Sequence, residues 1–264
     1  MKNFEYIGSH NHALDRDSLI KLWWVFHPRF KFFKTLKANS KLLDLGAGSG
    51  GLIFWREYFL CDRNDIEIYA VDIKEGEYFR KCNDFQICDL EKDILKWPEN
   101  FFDAILISHV IEHIKNTENV MDNINRVAKR DYALLYIEFP SDRSVNNPPI
   151  EYFLKHGVKV PRTITNFYDD KTHVSLFTRD ALKALFMKKG FYPIEEGIIS
   201  NPFIEDILIR RGIEENDSEL FTYGIWSKLG FAEYVIFRRQ SARNLHNILD
   251  ILVKTFYEGI SDRG

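Results

Sequence analysis

A glycine-rich stretch between an apolar run and an amphipathic segment limits the folds open to this chain more than any other feature. The stretch runs from Lys41 to Gly51 and reads KLLDLGAGSGG. The leucines at its start predict a short strand, and the residues from Leu52 to Trp55 predict the beginning of a helix. Glycine lets the backbone turn sharply and lets a ligand approach the main chain, and the first N–H groups of the helix stay free to face that ligand. The pattern therefore predicts a strand, a ligand-binding turn and a helix.

The glycine spacing alone fits two classes of ligand. Gly46, Gly48 and Gly51 satisfy the G-x-G-x-x-G spacing of dinucleotide-binding folds. From Asp44, the same stretch reads D-x-G-x-G-x-G and ends at Gly50, which resembles motif I of the class I S-adenosylmethionine (SAM)-dependent methyltransferases. A carboxylate just inside the turn can balance a cationic amino-acid group and is less suited to a pyrophosphate. Asp44 therefore favours SAM, with an NAD-dependent dehydrogenase as the alternative.

Two acidic residues follow at the ends of the next predicted strands. Asp72 closes an apolar strand that begins at Asp65. It lies roughly 20 residues after the last glycine, where Rossmann-like folds place an acid that accepts hydrogen bonds from ribose hydroxyls. Ile73 is then expected against the adenine. The resemblance implies that Asp89 and Leu90, after the third strand, bind the adenine amino group and a ring nitrogen. These residues do not separate SAM from NAD, because both ligands carry adenosine.

The segment from Phe102 to His113, FDAILISHVIEH, is the second strong signature. It resembles the fourth-strand segment of the small-molecule methyltransferases, the group that contains the ubiquinone and menaquinone biosynthesis enzymes. Ser108 and His109 follow the apolar run at its carboxyl end, where ligands bind in open α/β sheets, and His109 is expected to contact the methionine part of SAM or the acceptor. The spacing His109-x-x-x-His113 suits a metal ion, but the sequence shows no further ligands, so no metal site is predicted.

Methyl transfer needs an aligned nucleophile and, for an alcohol, a group that removes its proton. His109 and His173 are the candidate bases, because both are expected to face the cleft and an imidazole titrates near neutral pH. Replacing His173 with alanine is expected to lower kcat much more than cofactor affinity. A structural role for each histidine, and a SAM-binding module without activity, stay open. The predicted cofactor-binding residues are Asp44, Gly46, Ala47, Gly48, Gly50, Asp72, Ile73, Asp89, Leu90, Ser108 and His109.

The acceptor is expected to be a small molecule or a sugar that is methylated on a hydroxyl or amine. Segment 140–173 follows the predicted fifth strand and is interpreted as an irregular acceptor-binding insertion. Arg143, Arg162 and Tyr168 are its predicted substrate-binding residues, and the arginines suit a phosphate or carboxylate. This favours a phosphorylated or nucleotide-linked precursor of a bacterial surface polysaccharide. The Phe and Trp content favours a quinone-type aromatic acceptor as the rival.

The resemblance implies a Rossmann-like class I methyltransferase fold. Its sheet is expected to have seven mostly parallel strands, with an antiparallel last strand and helices on both faces. One domain, 1–264, is the simplest organisation. It is expected to include an N-terminal helical cap at 1–40, insertions at 140–173 and 201–230, and a terminal helix at 241–257. That helix is predicted either to cover the sheet or to pair with a second subunit in a homodimer.

Composition excludes some functions. A net charge of −3 and the lack of a long basic run argue against a nucleic-acid partner. The three cysteines lack metal-like spacing, and their odd number argues against a disulfide framework. No apolar run reaches the roughly 18 residues of a membrane span, and the N-terminus lacks the pattern of a signal peptide. A cytoplasmic protein with reduced thiols is expected.

Overall fold

A seven-stranded sheet forms the centre of the computed structural model, which describes residues 14–59, 61–159 and 163–240. The strands are β1 (Lys41–Leu45), β2 (Glu67–Asp72), β3 (Asp84–Ile87), β4 (Ala104–Ser108), β5 (Leu134–Pro140), β6 (Phe191–Ile198) and β7 (Ala232–Arg239). Their order is β3-β2-β1-β4-β5-β7-β6. Strands β1 to β5 pair in parallel, and β7 lies antiparallel between β5 and β6. The predicted sheet is confirmed.

The chain order reverses between β1 and β4, which are neighbours although β2 and β3 lie on the other side of β1. In open α/β sheets, such a switch point leaves a crevice at the carboxyl ends of the strands. The glycine stretch follows β1 and the histidine segment follows β4, so both leave the sheet at this crevice. The topology therefore brings together two signatures that are about 60 residues apart in the sequence.

Helices cover both faces of the sheet. Within the described ranges they are α1 (Arg16–Phe26), α2 (Pro28–Thr35), α3 (Gly51–Tyr58), α4 (Thr117–Val127), α5 (Ile150–Lys155), α6 (Arg179–Met187), α7 (Glu205–Glu214) and α8 (Ser218–Leu229). Within those ranges, every helix is too short or too polar to cross a lipid bilayer. The predicted terminal helix, 241–257, lies outside the described residues.

Alternation along the central strands divides the core between the two faces. Leu43 and Ile105 pack with α4 and α6 on one face, whereas Leu42 and Leu106 pack with α1, α2, α3, α7 and α8 on the other. Side chains of successive strand residues point to opposite faces, and a parallel strand covered on both faces must be apolar on both. The aromatic residues of α1 and α2 lie mainly in the second of these clusters, so they help to hold the N-terminal helices against the sheet.

The segments predicted as insertions are more regular than expected. Segment 140–173 contains α5 and two short 3₁₀-helices, Asp142–Asn146 and Phe167–Asp169. The second is stabilised by a capping box between Asn166 and Asp169.

Segment 201–230 forms a helical hairpin of α7 and α8. A Cβ at Gly212 would lie 2.5 Å from the backbone nitrogen of Phe221, so glycine permits the two helices to pack closely. The acidic run 214–219 covers the end of α7, the turn of the hairpin and the start of α8. Asp217 caps α8 there and pairs with Arg16 of α1.

Candidate functional site

The turn after β1 has the backbone geometry that only glycine adopts readily. Gly46 and Gly48 have φ angles of +75° and +56°, which are unfavourable for residues that carry a Cβ. A Cβ at Gly46 would lie 2.0 Å from Cγ2 of Val110, which follows β4. The N–H groups of Gly46 and Ala47 donate to the carbonyl oxygen of Val71 at 2.8 and 3.0 Å. The turn is therefore held against the ends of β2 and β4.

Two adjoining cavities, of about 480 Å³ and about 460 Å³, lie on either side of this turn. Both are lined by Gly46, Gly48 and His109, so they form the two halves of one cleft at the carboxyl edge of the sheet. Of the predicted cofactor-binding residues, Gly50 alone lines neither cavity; it is the N-cap of α3. The others line one half or both: Asp44, Gly46, Ala47, Gly48, Asp72, Ile73, Asp89, Leu90, Ser108 and His109.

The smaller half of the cleft contains the two acids that follow β2 and β3. One carboxylate oxygen of Asp72 accepts a hydrogen bond from the Gly48 N–H at 2.8 Å, and the other accepts from the Ile73 N–H at 2.7 Å. These bonds orient the carboxylate and leave lone pairs for further donors. Ile73 is 72% exposed. An apolar side chain beside two carboxylates suits a nucleoside, which offers a flat base and hydroxyl donors.

Asp44 and Arg29 both line the larger half of the cleft. Burial raises the pKa of the Asp44 carboxyl to about 7; the Arg29 guanidinium opposes this rise and the Asp72 carboxylate adds to it. The Arg29 guanidinium lies 4.9 Å from the ring centre of Trp24 and 5.3 Å from that of Trp55, and its Nε is buried without a hydrogen-bond partner. A zwitterionic amino acid offers an ammonium for Asp44 and a carboxylate for Arg29. The residues of both halves thus fit SAM.

A buried cluster centred on Glu138 lies beside this half. Oε2 of Glu138 accepts the hydroxyl hydrogen bond of Tyr136 at 2.7 Å and lies 3.8 Å from Nε of Arg29. Oε1 lies 3.1 Å from Nε2 of His109 and 3.9 Å from Nε2 of His27. Burial by itself would raise the pKa of the Glu138 carboxyl, but the positive charges of Arg29 and His109 hold it well below its ordinary value. Glu138 is therefore an anion at neutral pH.

His109 is held between two carboxylates. Its φ of +53° is unusual for a residue other than glycine, and such strain is often found at functional sites. Nδ1 lies 3.2 Å from Oε1 of Glu112, on the side of the ring opposite Glu138. Burial would lower the pKa of His109, but these two contacts outweigh it and raise the pKa to about 9. The ring is thus protonated at neutral pH, and the structure does not support the predicted role of His109 as a proton acceptor at that pH.

The helical hairpin of α7 and α8 packs against His109 through Trp226. The Trp226 ring of α8 lies 5.0 Å from the His109 ring, and its indole N–H donates to the carbonyl oxygen of Ile164. Tyr223 of α8 lines the larger cavity and stacks on Trp23 of α1 at 5.3 Å. The two segments predicted as insertions therefore meet above the carboxyl edge of the sheet, and α1 joins α8 there.

The other predicted residues lie outside the cleft or outside the described residues. His173 lines neither half; its ring lies 4.9 Å from that of His113, which does line the smaller half. Arg143 is exposed in a separate depression with Arg179 and two glutamates. Tyr168 is 61% exposed and lines neither half, and Arg162 lies outside the described residues. The structure therefore does not bring Arg143 or Tyr168 to the cleft.

Sequence reasoning missed Arg29, Glu112 and Glu138 as functional residues. The sequence carries one usable signal for Glu138, which is an acid near the carboxyl end of an otherwise apolar strand. In the structure its side chain is buried. Its register places it opposite Ser108 in β4, which could have been expected from the neighbouring ends of the two parallel strands. Arg29 had no such signal, because it lies in a helix that precedes the sheet.

Comparisons with known proteins agree with this geometry. A family described as a methyltransferase domain matches residues 11–196, which is more than half of the chain. The ubiquinone/menaquinone biosynthesis C-methyltransferase of Shewanella sp. is 22% identical over 173 residues, covering 60% of this chain and 69% of that protein. A highly reducing polyketide synthase of Aspergillus nomiae is 29% identical over 119 residues, covering 40% of this chain and 5% of that protein. The chain thus spans only a small part of the synthase.

Solved structures show the same fold. A SAM-dependent methyltransferase from Archaeoglobus fulgidus superposes with a TM-score of 0.51 and 20% identity, covering 84% of this chain and 93% of that one. Phosphoethanolamine N-methyltransferase 2 from Haemonchus contortus, in complex with SAM, superposes with a TM-score of 0.55 and 18% identity. The match covers 88% of this chain and 59% of that one. The family match decides between the two ligand classes that the glycine spacing left open. The chain belongs to the methyltransferase domain family, as a class I enzyme whose cofactor is S-adenosylmethionine.

Proposed function

We propose that this enzyme transfers the methyl group of SAM to a hydroxyl or amine of a small molecule or sugar. The observation that supports this best is the order of chemical groups along one cleft. Asp72 and Asp89 lie at one end, Asp44 and Arg29 lie at the other, and His109 lines both halves. This order matches a nucleoside joined to an amino acid.

The cofactor is held by complementary charges at its two ends. Asp72 and Asp89 bind the ribose hydroxyls and the adenine amino group. The ammonium of the methionine part pairs with Asp44, and its carboxylate pairs with Arg29, which the Trp24 and Trp55 rings hold in place. SAM supplies an electrophilic methyl group for in-line displacement.

The protein aligns the acceptor and excludes water. His109, protonated and bridged to Glu112 and Glu138, is a fixed part of the cleft wall. Trp226 packs against its ring. His109 therefore acts here as a positioning residue. His173 stays a candidate base, because the Nδ1 of its ring is bonded to the carbonyl oxygen of Phe167 and this leaves Nε2 with a lone pair.

An acceptor without a phosphate group is favoured over a phosphorylated one. The predicted phosphate-binding role of Arg143 has no support from its position in a separate depression, and a surface-polysaccharide precursor therefore stays a prediction without a described residue to hold its phosphate. A quinone-type aromatic acceptor is the second candidate. It is supported by the aromatic lining of the larger cavity, which includes Trp24, Trp55 and Tyr223, and by the name of the Shewanella relative.

A two-stage experiment tests the proposal. Calorimetry with S-adenosylhomocysteine (SAH) and with NADH measures cofactor binding, and we expect SAH alone to bind. Release of SAH from SAM is then measured with a panel of sugars, nucleotide sugars, quinols and small amines. We expect turnover with at least one acceptor that carries a hydroxyl or amine. SAH binding without turnover on any member of a broad panel would favour the inactive binding module instead.

Four expectations stay predictions: a homodimer, a cytoplasmic location, a single domain over residues 1–264 and the lack of a nucleic-acid partner. Analytical ultracentrifugation of the full chain tests whether it forms a homodimer. A sedimenting species of one chain mass at micromolar concentration would exclude the dimer.

A further inference from the structure

A carboxylate and two imidazoles form a cluster beside the cleft. Glu112, His113 and His173 each place one potential metal-ligating atom within 4.8 Å of the other two. His113 also lines the smaller half of the cleft, near His109. The cluster therefore borders the cleft at His113, whereas Glu112 and His173 do not line the half that we assign to the nucleoside.

The backbone fixes this cluster across a long separation in the sequence. The N–H groups of Val174 and Ser175 donate to the carbonyl oxygen of Glu112 at 2.9 and 3.0 Å. The Ser175 hydroxyl donates to the carbonyl oxygen of Ile114 at 2.6 Å. These bonds hold the segment that carries His173 against the short 3₁₀-helix Ile111–His113. The backbone positions of the three residues are therefore fixed relative to one another.

Both imidazoles are oriented in the same way. Nδ1 of His173 lies 2.7 Å from the carbonyl oxygen of Phe167. Nδ1 of His113 lies 3.2 Å from the carbonyl oxygen of Thr172 and 2.9 Å from its hydroxyl. A carbonyl oxygen can only accept, so Nδ1 carries the hydrogen in each ring and Nε2 keeps a lone pair. Metal-binding histidines are commonly held in this way, by a backbone carbonyl on the nitrogen that does not bind the metal.

The carboxylate of Glu112 has one oxygen without a partner. Oε1 lies 3.2 Å from Nδ1 of His109, whereas Oε2 is buried and has no hydrogen-bond partner. The residue is 1% exposed. An unpartnered carboxylate oxygen away from water is costly, and a bound cation removes that cost.

We propose that Glu112, His113 and His173 bind a divalent transition-metal ion. Two histidines and one carboxylate form a ligand set that suits Zn²⁺ or Fe²⁺ and leaves coordination positions open. Of the three proposed ligands, His113 lines the cleft. His173, predicted from the sequence as a base, is in this proposal a metal ligand.

The metal gives the reaction a way to activate an alcohol, and this part rests on the proposed function. A metal ion held by these residues would lower the pKa of an acceptor hydroxyl bound at an open position, and the proton would pass to water. The oxygen lone pair then forms the new O–C bond while the bond between the methyl carbon and sulfur breaks, and its electron pair stays on sulfur. Metal binding itself does not depend on methyl transfer and can be tested separately.

The variants His113→Asn and His173→Asn test the ligands with little disturbance of the fold. The asparagine amide can reproduce the hydrogen bond that Nδ1 makes, but it has no counterpart of Nε2. His156→Asn is the matched control, because His156 is exposed and its Nδ1 also lies against a backbone carbonyl oxygen, that of Tyr152, at 2.7 Å. SAH binding and Tm are measured on every variant to report the state of the fold.

The full chain is stripped with EDTA, desalted, and titrated with Zn²⁺ by calorimetry and with Co²⁺ by visible absorption. We expect one site per chain, with affinity at least about tenfold weaker in His113→Asn and His173→Asn and unchanged in the control. A wild-type chain that binds neither ion, or these two variants binding Zn²⁺ as tightly as wild type, would overturn the proposal. Failure of the wild-type chain to bind SAH would count against the proposed function. The metal titrations would still test the proposed metal site, because they do not depend on SAH binding.

Discussion

Replacing Asp44 with asparagine should stabilise the unliganded enzyme and weaken its cofactor binding. Asp44 is 6% exposed, and burial raises its pKa from 3.8 to about 7. A rise of about three in pKa corresponds to about 4 kcal/mol of interaction that the charged form lacks. Between pH 4 and pH 7 the folded chain retains this proton, whereas the unfolded chain has released it. Stability therefore falls as the pH rises through that window.

The variant removes the buried charge and keeps the shape of the side chain. Its stability relative to wild type should therefore grow with pH, by about 2 to 3 kcal/mol between pH 5 and pH 8. For a domain of this size that corresponds to a relative rise in Tm of roughly 5–10 °C. Thermal melts at pH 5, 6, 7 and 8 measure it. Asp62→Asn is the control, because Asp62 is exposed and lies away from the cleft.

The same substitution removes the partner of the cofactor's ammonium. We expect SAH to bind at least about tenfold more weakly to Asp44→Asn at pH 8, a loss of about 1.4 kcal/mol, and calorimetry measures this. The affinity of wild type should also fall as the pH drops below 7, because Asp44 then takes up a proton. A Tm difference that is the same at pH 5 and pH 8, together with unchanged SAH affinity, would refute the reasoning on both points.

Three further substitutions test other parts of the cleft. Asp72→Ala should weaken SAH binding at least about tenfold in calorimetry, because the ribose loses its acceptor; unchanged affinity would remove Asp72 from the site. Gly46→Ala should cost at least about 2 kcal/mol in denaturant melts, since its Cβ meets Val110 at 2.0 Å, whereas Gly51→Ala, with no atom within 4 Å of its Cβ, is the control. Equal losses would contradict the packing argument. The pKa of His109 is raised from 6.5 to about 9, so its charge stabilises the fold below pH 6.5 and loses that effect as the pH rises through 9. His109→Gln should therefore be less stable than wild type by about 3 kcal/mol at pH 6, and by much less at pH 10; a pH-independent difference in urea melts would contradict this.

Local patterns were sufficient to predict the sheet and most of the residues that line the cleft. The sequence predicts a sheet of seven strands with an antiparallel last strand, and the structure has that sheet. The residues of the glycine turn and the acids after β2 and β3 were predicted as a set, and all but Gly50 line the cleft. These features could be predicted because a buried strand and the turn after it are encoded by adjacent residues.

The surroundings of His109 and the position of Arg143 depend on contacts between distant residues. Segment 201–230 was predicted only as an insertion, yet its Trp226 covers His109. Arg143 was placed in the cleft because it follows β5, whereas the chain turns away and leaves it exposed in another depression. No periodicity in the sequence encodes the direction in which an irregular segment leaves a sheet.

By itself, the sequence determined that a glycine turn follows the first strand of a parallel sheet, because propensity and spacing act between neighbours in the chain. Only the tertiary structure decided the state of the charged groups. Asp44 and His109 have pKa values displaced in the same direction for different reasons: burial for the acid, and two carboxylates for the imidazole. Both causes depend on which side chains the fold brings within a few ångströms and on how much water it removes.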